Sequence, residues 1–265
     1  MDLNGIERLI AEMTLAEKLG QMTMSPAGSA QTGPVRGEAT TEAVRAGAVG
    51  SLLNLWGREA TDRFQKLAVA ETRLGIPLFF GVDVLHGHRT VFPIPLAEAG
   101  LFDTVYWERT AREAAREAAT DGADLTFAPM LDIARDPRWG RMAEGPGEDP
   151  LVGAHFAAAK VRGFQGGDLA SPRSLAATAK HFCCGGAAVA GREYAAVDLS
   201  ERAVHETYLP PFRAAVEAGC AAIMSAFNSV GGVPMTAHVP LLRAWLREKL
   251  GFDGVIMSDY AAIEE

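Results

Sequence analysis

Apolar residues along this chain follow two rhythms, a helical spacing of three and four and short unbroken runs. The pattern opens with Thr14 and Glu17, a T-x-x-E capping box ahead of Leu15, Leu19 and Met22, which predicts a helix system over 5–22. Residues 23–40 are rich in Gly, Ser, Pro and Thr without periodicity and read as loop. Short apolar runs at 49–55, 77–83, 125–129, 175–182, 221–227 and 254–257 predict strands. Between them the spacing predicts helices over 58–73, 104–120 and 150–164, a broken pair over 200–208 and 211–218, and a helix over 241–249. Asp149 followed by Pro150 is an N-cap with proline in the first helical position. Ala111, Ala114, Ala115, Ala118 and Ala119 recur on one face of 104–120, small enough to bring that helix close to a sheet.

The strand runs are apolar throughout, not alternating, as expected where helices cover both faces of a parallel sheet. Strand and helix alternate about six times. A doubly wound sheet and a (β/α)8 TIM-type barrel share that grammar. No G-x-G-x-x-G joins an early strand to its helix, which counts against a dinucleotide fold. Polar residues stand at the ends of several different strands, which favours the barrel. The expected class is therefore α/β, a TIM-type barrel truncated after about six βα units, roughly 60 residues short of closure.

Composition narrows the function classes. With 48% apolar and 22% charged residues, the chain carries enough apolar surface for a packed core. A net charge of −8 disfavours a nucleic-acid partner, since no basic surplus neutralises phosphates. No apolar run approaches 18 residues, so no membrane span is expected. The opening MDLNGIERLIAEMTLAEKLGQM is amphipathic and acidic where a leader would be basic. As written it implies a cytoplasmic protein; an incomplete start would leave periplasmic or secreted placement open. Cys183, Cys184 and Cys220 read as buried reduced thiols, not a disulfide framework. Cys183, Cys184 and His181 are near in sequence, but alternate strand residues face opposite ways, so no metal site is expected.

Ionisable residues gather at strand ends or just beyond: Asp83, Arg141, Lys180, His181, Arg192 and Asp259. Asp259 stands where the last strand gives way to loop, the position at which barrel enzymes keep their chemistry. A plainer reading makes it a helix N-cap. Lys180-His181 precedes FCCGGAAVAGREY, a glycine-rich turn in which backbone and ligand can approach closely.

Long ordered motifs run almost end to end: MTLAEKLGQM, FFGVDVLHGHRTVFPIPL, FAPMLDIARDPRWGRMAEGPGEDP, KHFCCGGAAVAGREY, DLSERAVHETYLPPFRAAVEAG, IMSAFNSVGGVPMT and GFDGVIMSDYAAIEE. Through them the whole chain, 1–265, resembles the N-terminal barrel domain of glycoside hydrolase family 3, β-glucosidase branch. The resemblance implies a retaining, exo-acting β-glucosidase with Asp259 of Ser258-Asp259-Tyr260 as nucleophile. Asp83 would hold hydroxyls of the terminal sugar. Arg141, Lys180 and His181 would surround the same sugar, with Lys and neutral His donating to hydroxyls. Arg192 would contact the sugar or fix the pocket, and Met224 and Phe227 would line its apolar wall. For the basic residues the bland alternative is a salt bridge, and for Met224 and Phe227 plain core packing.

Two positions depart from the family pattern. Phe227 stands where many relatives have Tyr, and Tyr260 where Trp is usual. The Asp-Ser-His signature of N-acetylglucosaminide-cleaving relatives is absent from CCGGAAVAGREY. In β-glucosidase relatives the proton donor is a glutamate of a following α/β sandwich domain, absent from this chain. Glu144, Glu148, Glu193 and Glu206 are acidic candidates that no motif singles out. Implied partners are small β-glucosides or oligosaccharides and that missing domain, with self-association expected of an unclosed barrel. Neither metal nor redox cofactor is implied. β-Xylosidase specificity, or a non-catalytic sugar-binding barrel that keeps Asp83 and Lys180, are the alternatives.

Overall fold

A computed structural model describes residues 3–27 and 41–264. In chain order the elements are α1 (Leu3–Glu12), α2 (Leu15–Gln21), β1 (Met24–Pro26), α3 (Thr41–Arg45), β2 (Ser51–Leu53), α4 (Arg58–Glu71), β3 (Phe79–Val82), α5 (Pro95–Ala99), α6 (Thr104–Thr120) and β4 (Leu125–Thr126). Then come α7 (Pro150–Gln165), β5 (Ala176–Phe182), α8 (Glu201–Ala203), α9 (Pro210–Glu217), β6 (Ala222–Ser225), β7 (Ser229–Val230), β8 (Val233–Pro234) and β9 (Val255–Ser258). Apart from the small antiparallel β7–β8 hairpin, parallel strands alternate with helices, as in an α/β barrel of the TIM type. The chain forms two compact units, 1–83 with 118–125, and 84–117 with 126–265.

In the first unit β1, β2 and β3 pair in parallel, Met24 opposite Ser51 and Ser51 opposite Phe79. Leu52, Val44, Phe64, Leu67 and Phe80 form its core. The expected capping box is present: Thr14 Oγ1 accepts from Glu17 N–H at 3.2 Å and Glu17 accepts from Thr14 N–H at 2.8 Å. Arg73 reaches the same carboxylate, 2.6 Å from Oε2, and its hydrogen bond is the main reason Glu17 is lowered to about 2. One expectation fails here. Met24–Pro26, read as loop from its composition, is a strand; three residues are too few to show a period. Residues 28–40, the rest of that loop assignment, lie outside the described residues, as does Glu265.

In the second unit β5, β6 and β9 pair in parallel, Ala222 lying opposite both Thr178 and Val255. From Ala177 to Phe182 every residue of β5 is buried, the burial its unbroken apolar run predicts. Asp149 caps α7 by accepting from Leu151 N–H at 2.7 Å and Val152 N–H at 3.1 Å. Gly163 lets α7 lie against α6, for a Cβ there would come 2.4 Å from Glu108 O and 2.6 Å from Ala111 Cβ. At the end of α7, Gln165 accepts from Ala177 N–H (3.2 Å) and Ala221 N–H (2.9 Å) and donates to Gly219 O (2.9 Å). It thus ties the entry to β5 to the entry to β6. Phe182, fully buried, packs edge-on against Phe212 of α9 at 5.2 Å and stacks on Trp245 at 5.9 Å.

Local differences from expectation have local causes. The broken pair begins as α8 and continues as a π-helical stretch, Val204–Tyr208, before Pro210 and Pro211 restart α9. Proline cannot donate to the preceding turn, so the ladder breaks there. The helix expected over 241–249 is π-helical over Pro240–Lys249. No helix among the described residues is long and apolar enough to cross a membrane.

Candidate active site

Register brings three strand ends to one level. Phe182, Ser225 and Ser258 are partners across β5, β6 and β9, so the residues that follow them leave the sheet together. Between Ala179 and Phe182 the β5 ladder slips against β6. Such a bulge re-aims side chains, and Lys180 and His181 are the residues it carries. The segment after β4 runs beside β5, with Lys180 N–H donating to Pro129 O at 3.0 Å and Leu131 N–H to Lys180 O at 2.6 Å. Asp132 arrives at its end.

His181 is the centre of the cluster. Its backbone N–H donates to Asp132 Oδ2 at 2.9 Å, and its Nδ1 lies 2.9 Å from the same oxygen. Its Nε2 lies 3.1 Å from Arg141 Nη2 and 3.5 Å from Asp259 Oδ2. Arg141, on a 3-10 turn over Gly140–Glu144, is held by Glu144 through paired bonds of 2.9 and 3.1 Å. Its Nη1 stands 3.7 Å from Glu193 Oε1, and Glu193 also accepts from Trp139 Nε1.

Asp259 directly follows β9. Its Oδ1 accepts from Tyr260 N–H at 2.6 Å, while Oδ2 is buried without a hydrogen-bond partner among the described residues. An acceptor left open in this way is costly unless something fills it. Trp139, Arg141, His181, Glu193, Phe227 and Asp259 line a pocket with Tyr194, Gly185, Ala226 and Asn228, about 10 Å³ in volume. That is room for about one water molecule. Tyr194 stands edge-on to Phe227 at 4.8 Å.

Burial acts on the charges in opposite directions. It works to raise the enclosed Asp132 carboxyl, but the hydrogen bonds from the His181 ring and backbone, with the Arg141 charge behind them, outweigh it and hold that carboxyl below its ordinary value. Burial also works against the Arg141 charge, and Glu144, Asp132 and Glu193 outweigh it and raise the guanidinium. Cys183 is pushed up by its contact with the Cys184 thiol and by burial, which leaves it inert at neutral pH. All three cysteines are buried and unbridged. Among the described residues no group of three or more His, Cys, Asp or Glu is placed to hold a metal ion.

Of the residues expected from sequence, Arg141, His181, Phe227 and Asp259 meet at this pocket. Lys180 is buried beside it in β5, and Met224 is buried in β6. Arg192 is exposed and does not line it; its neighbour Glu193 does. Asp83 follows β3 in the first unit, with an exposed side chain. Sequence reasoning passed over Asp132. The only signal was a carboxylate closing the apolar run LTFAPMLD, well past the end of β4 at Thr126.

Comparison with known proteins agrees with the motifs. A sequence profile described as the glycosyl hydrolase family 3 N terminal domain matches residues 14–265. The chain is 40% identical to a periplasmic beta-glucosidase of Salmonella typhimurium over 257 residues, 97% of this chain and 33% of that protein. It is 38% identical to a beta-xylosidase of Formosa agariphila over 205 residues, 72% of this chain and 28% of that protein. A crystal structure of beta-glucosidase from Listeria innocua in complex with isofagomine superimposes with a TM-score of 0.92 at 40% identity, covering 100% of this chain and 37% of that one. The chain thus spans about a third of the length of the relatives it matches. With that match spanning almost its whole length, the chain belongs to glycosyl hydrolase family 3, as its N-terminal domain.

Proposed function

We propose that the protein to which this chain belongs is a retaining, exo-acting β-glucosidase with Asp259 as its nucleophile. The observation that carries the reading is the Asp259 carboxylate. It stands at the C-terminal end of a parallel strand with Oδ2 open, at the wall of a pocket shared with His181 and Arg141. In the first step Oδ2 attacks the anomeric carbon as the glycosidic C–O bond breaks, and the leaving oxygen takes a proton from a general acid. In the second, water attacks the same carbon, gives its proton to that group and releases Asp259. A carboxylate serves because it is ionised at neutral pH and leaves again once water attacks.

Arg141, His181 and Lys180 are proposed to hold the sugar hydroxyls; for Asp83, in the first unit, a hydroxyl-holding role is proposed from its motif GVDVLHGH alone. Phe227 is proposed as the apolar wall, backed by Met224. Arg192 is exposed in the present loop conformation, so its contact with the sugar would require movement of that loop. The pocket volume supports such movement, since a space of about 10 Å³, lined in part by Glu193 and Tyr194 of that loop, is too small for a sugar ring. Glu144 and Glu193 both engage Arg141, which suits them to holding a cation. The acid is accordingly proposed to come from a following α/β sandwich domain, with residues 1–265 forming the barrel domain. The Salmonella relative is periplasmic, and fractionation of the native host tests whether this protein shares that compartment.

The test is a panel of nitrophenyl β-glycosides with the intact protein and its Asp259→Ala variant. Turnover of the glucoside should be lost in the variant while sugar binding persists. Near wild-type turnover by Asp259→Ala would reject the nucleophile assignment. The similarity to the Formosa beta-xylosidase supports a second specificity, and faster turnover of the xyloside would select it.

A further inference from the structure

Asp132 has no part in the reaction just described, yet its side chain is wholly enclosed. It binds one residue twice, taking the backbone N–H and the ring Nδ1 of His181 on a single oxygen, each at 2.9 Å. The chain makes room for this. At Gly185 a Cβ would come 2.7 Å from Asp132 Oδ1, and at Gly186 2.3 Å from Ile133 O. The glycine pair after the strand therefore lets the turn lie on Asp132 and its neighbour.

The chemistry of the partners then settles the ring. An ionised carboxylate only accepts, so Nδ1 must carry a proton to bond Asp132. A guanidinium only donates, so Nε2, which bonds Arg141 Nη2 at 3.1 Å and stands farther, at 3.5 Å, from Asp259 Oδ2, must offer a lone pair to the nearer partner. Both demands are met by one form of the imidazole. We propose that Asp132 is a positioning residue that holds His181 in its neutral Nδ1–H tautomer, with Nε2 presented to the pocket as a hydrogen-bond acceptor. The proposal rests on the glycosidase reading for its consequence. A sugar hydroxyl at Nε2 donates its hydrogen to His181 and does not receive one, which reverses the donor role expected from the sequence. The same hydroxyl is left free to accept from a neighbouring cation.

Neutron diffraction on deuterium-exchanged crystals of the intact protein tests the tautomer without reference to activity. A deuteron on His181 Nδ1 and none on Nε2 is expected; a deuteron on Nε2, with or without one on Nδ1, overturns the proposal. Kinetics with an aryl β-glucoside give the second arm. Asp132→Asn keeps an oxygen acceptor and should stay within about 10-fold of wild-type kcat/KM, whereas Asp132→Ala should lose on the order of 10- to 100-fold more, as when groups that orient working histidines are removed. Equal losses in folded Asn and Ala variants, or no loss in either, would also overturn it. If Asp132→Ala fails to fold, the deuteron position in the unsubstituted protein still decides. An intact protein inactive on every aryl glycoside would remove the functional reading and leave the tautomer to the neutron map.

Discussion

Replacing Lys160 should destabilise the second unit in a way that depends on pH. Lys160 on α7 and Glu98 on α5 form an ion pair with side-chain exposures of 2% and 0%. Lys160 Nζ also donates to Thr110 Oγ1 at 2.9 Å and lies 5.2 Å from the Phe156 ring centre. Burial lowers the Lys160 ammonium despite Glu98, the direction expected when desolvation outweighs the partner. Lys160→Met keeps much of the stem volume and strands the glutamate. Breaking a buried pair from one side costs about 3–5 kcal/mol. The stranded carboxylate can escape by taking a proton, which sets a ceiling. At pH 7, protonating a carboxylate of ordinary pKa, about 4.3, costs roughly 3.7 kcal/mol; at pH 5 it costs roughly 1 kcal/mol. The penalty of Lys160→Met should therefore be about 3–4 kcal/mol at pH 7 and shrink toward about 1 kcal/mol at pH 5. Amide hydrogen exchange in α7 measures it even if the whole protein does not unfold in one step. The double variant Glu98→Leu/Lys160→Met should recover most of the loss, because no charge remains buried. A single-variant penalty below about 1 kcal/mol at pH 7, or one that does not shrink on acidification, would refute the reasoning.

Other substitutions probe the same scaffold and the site. Gln165→Leu removes three side-chain bonds to the entries of β5 and β6, so at about 1 kcal/mol each it should cost about 3 kcal/mol, read by exchange of the Ala177 and Ala221 amides. Gly186→Ala would drive a Cβ to 2.3 Å from Ile133 O; the turn must shift off Asp132, and an aryl-glucoside kcat/KM reduced by at least about 10-fold is expected, with full activity counting against the packing. Asp132 titrates below its ordinary value when folded, so its contribution to stability is present above the unfolded value, about 3.9, and is lost as pH falls through the lower folded value. Acid unfolding of Asp132→Asn should accordingly be shallower below about pH 4, and an unchanged acid limb would contradict this.

Much of the fold was legible in the sequence because its signals are local. The Thr14–Glu17 box, the Asp149-Pro150 start and the 104–120 periodicity each act within one or two helical turns, and each is present in the structure. The three-residue β1 and the two-residue β7 and β8 left no period to read. Arg192 and Glu193 differ by one place, and which of them meets the pocket depends on how the turn after β5 bends, through Gly191 and Tyr194 at φ 66° and 65°. A list of residue types cannot resolve that choice.

The sequence by itself determined the α/β class, the family motifs and the charged residues set at strand ends, since each follows from residue type and near-neighbour spacing. Only the tertiary structure decided which of those residues converge. The register of β5, β6 and β9 levels Phe182, Ser225 and Ser258, and His181, Phe227 and Asp259, each within two residues of those strand ends, line one pocket. Asp132 meets His181 across 49 positions of chain, and Arg141 meets it across 40. Those meetings depend on strand pairing and on two glycines that let a turn lie close to a buried carboxylate. Pairing is a property of the assembled sheet, and no local pattern in this chain encodes it.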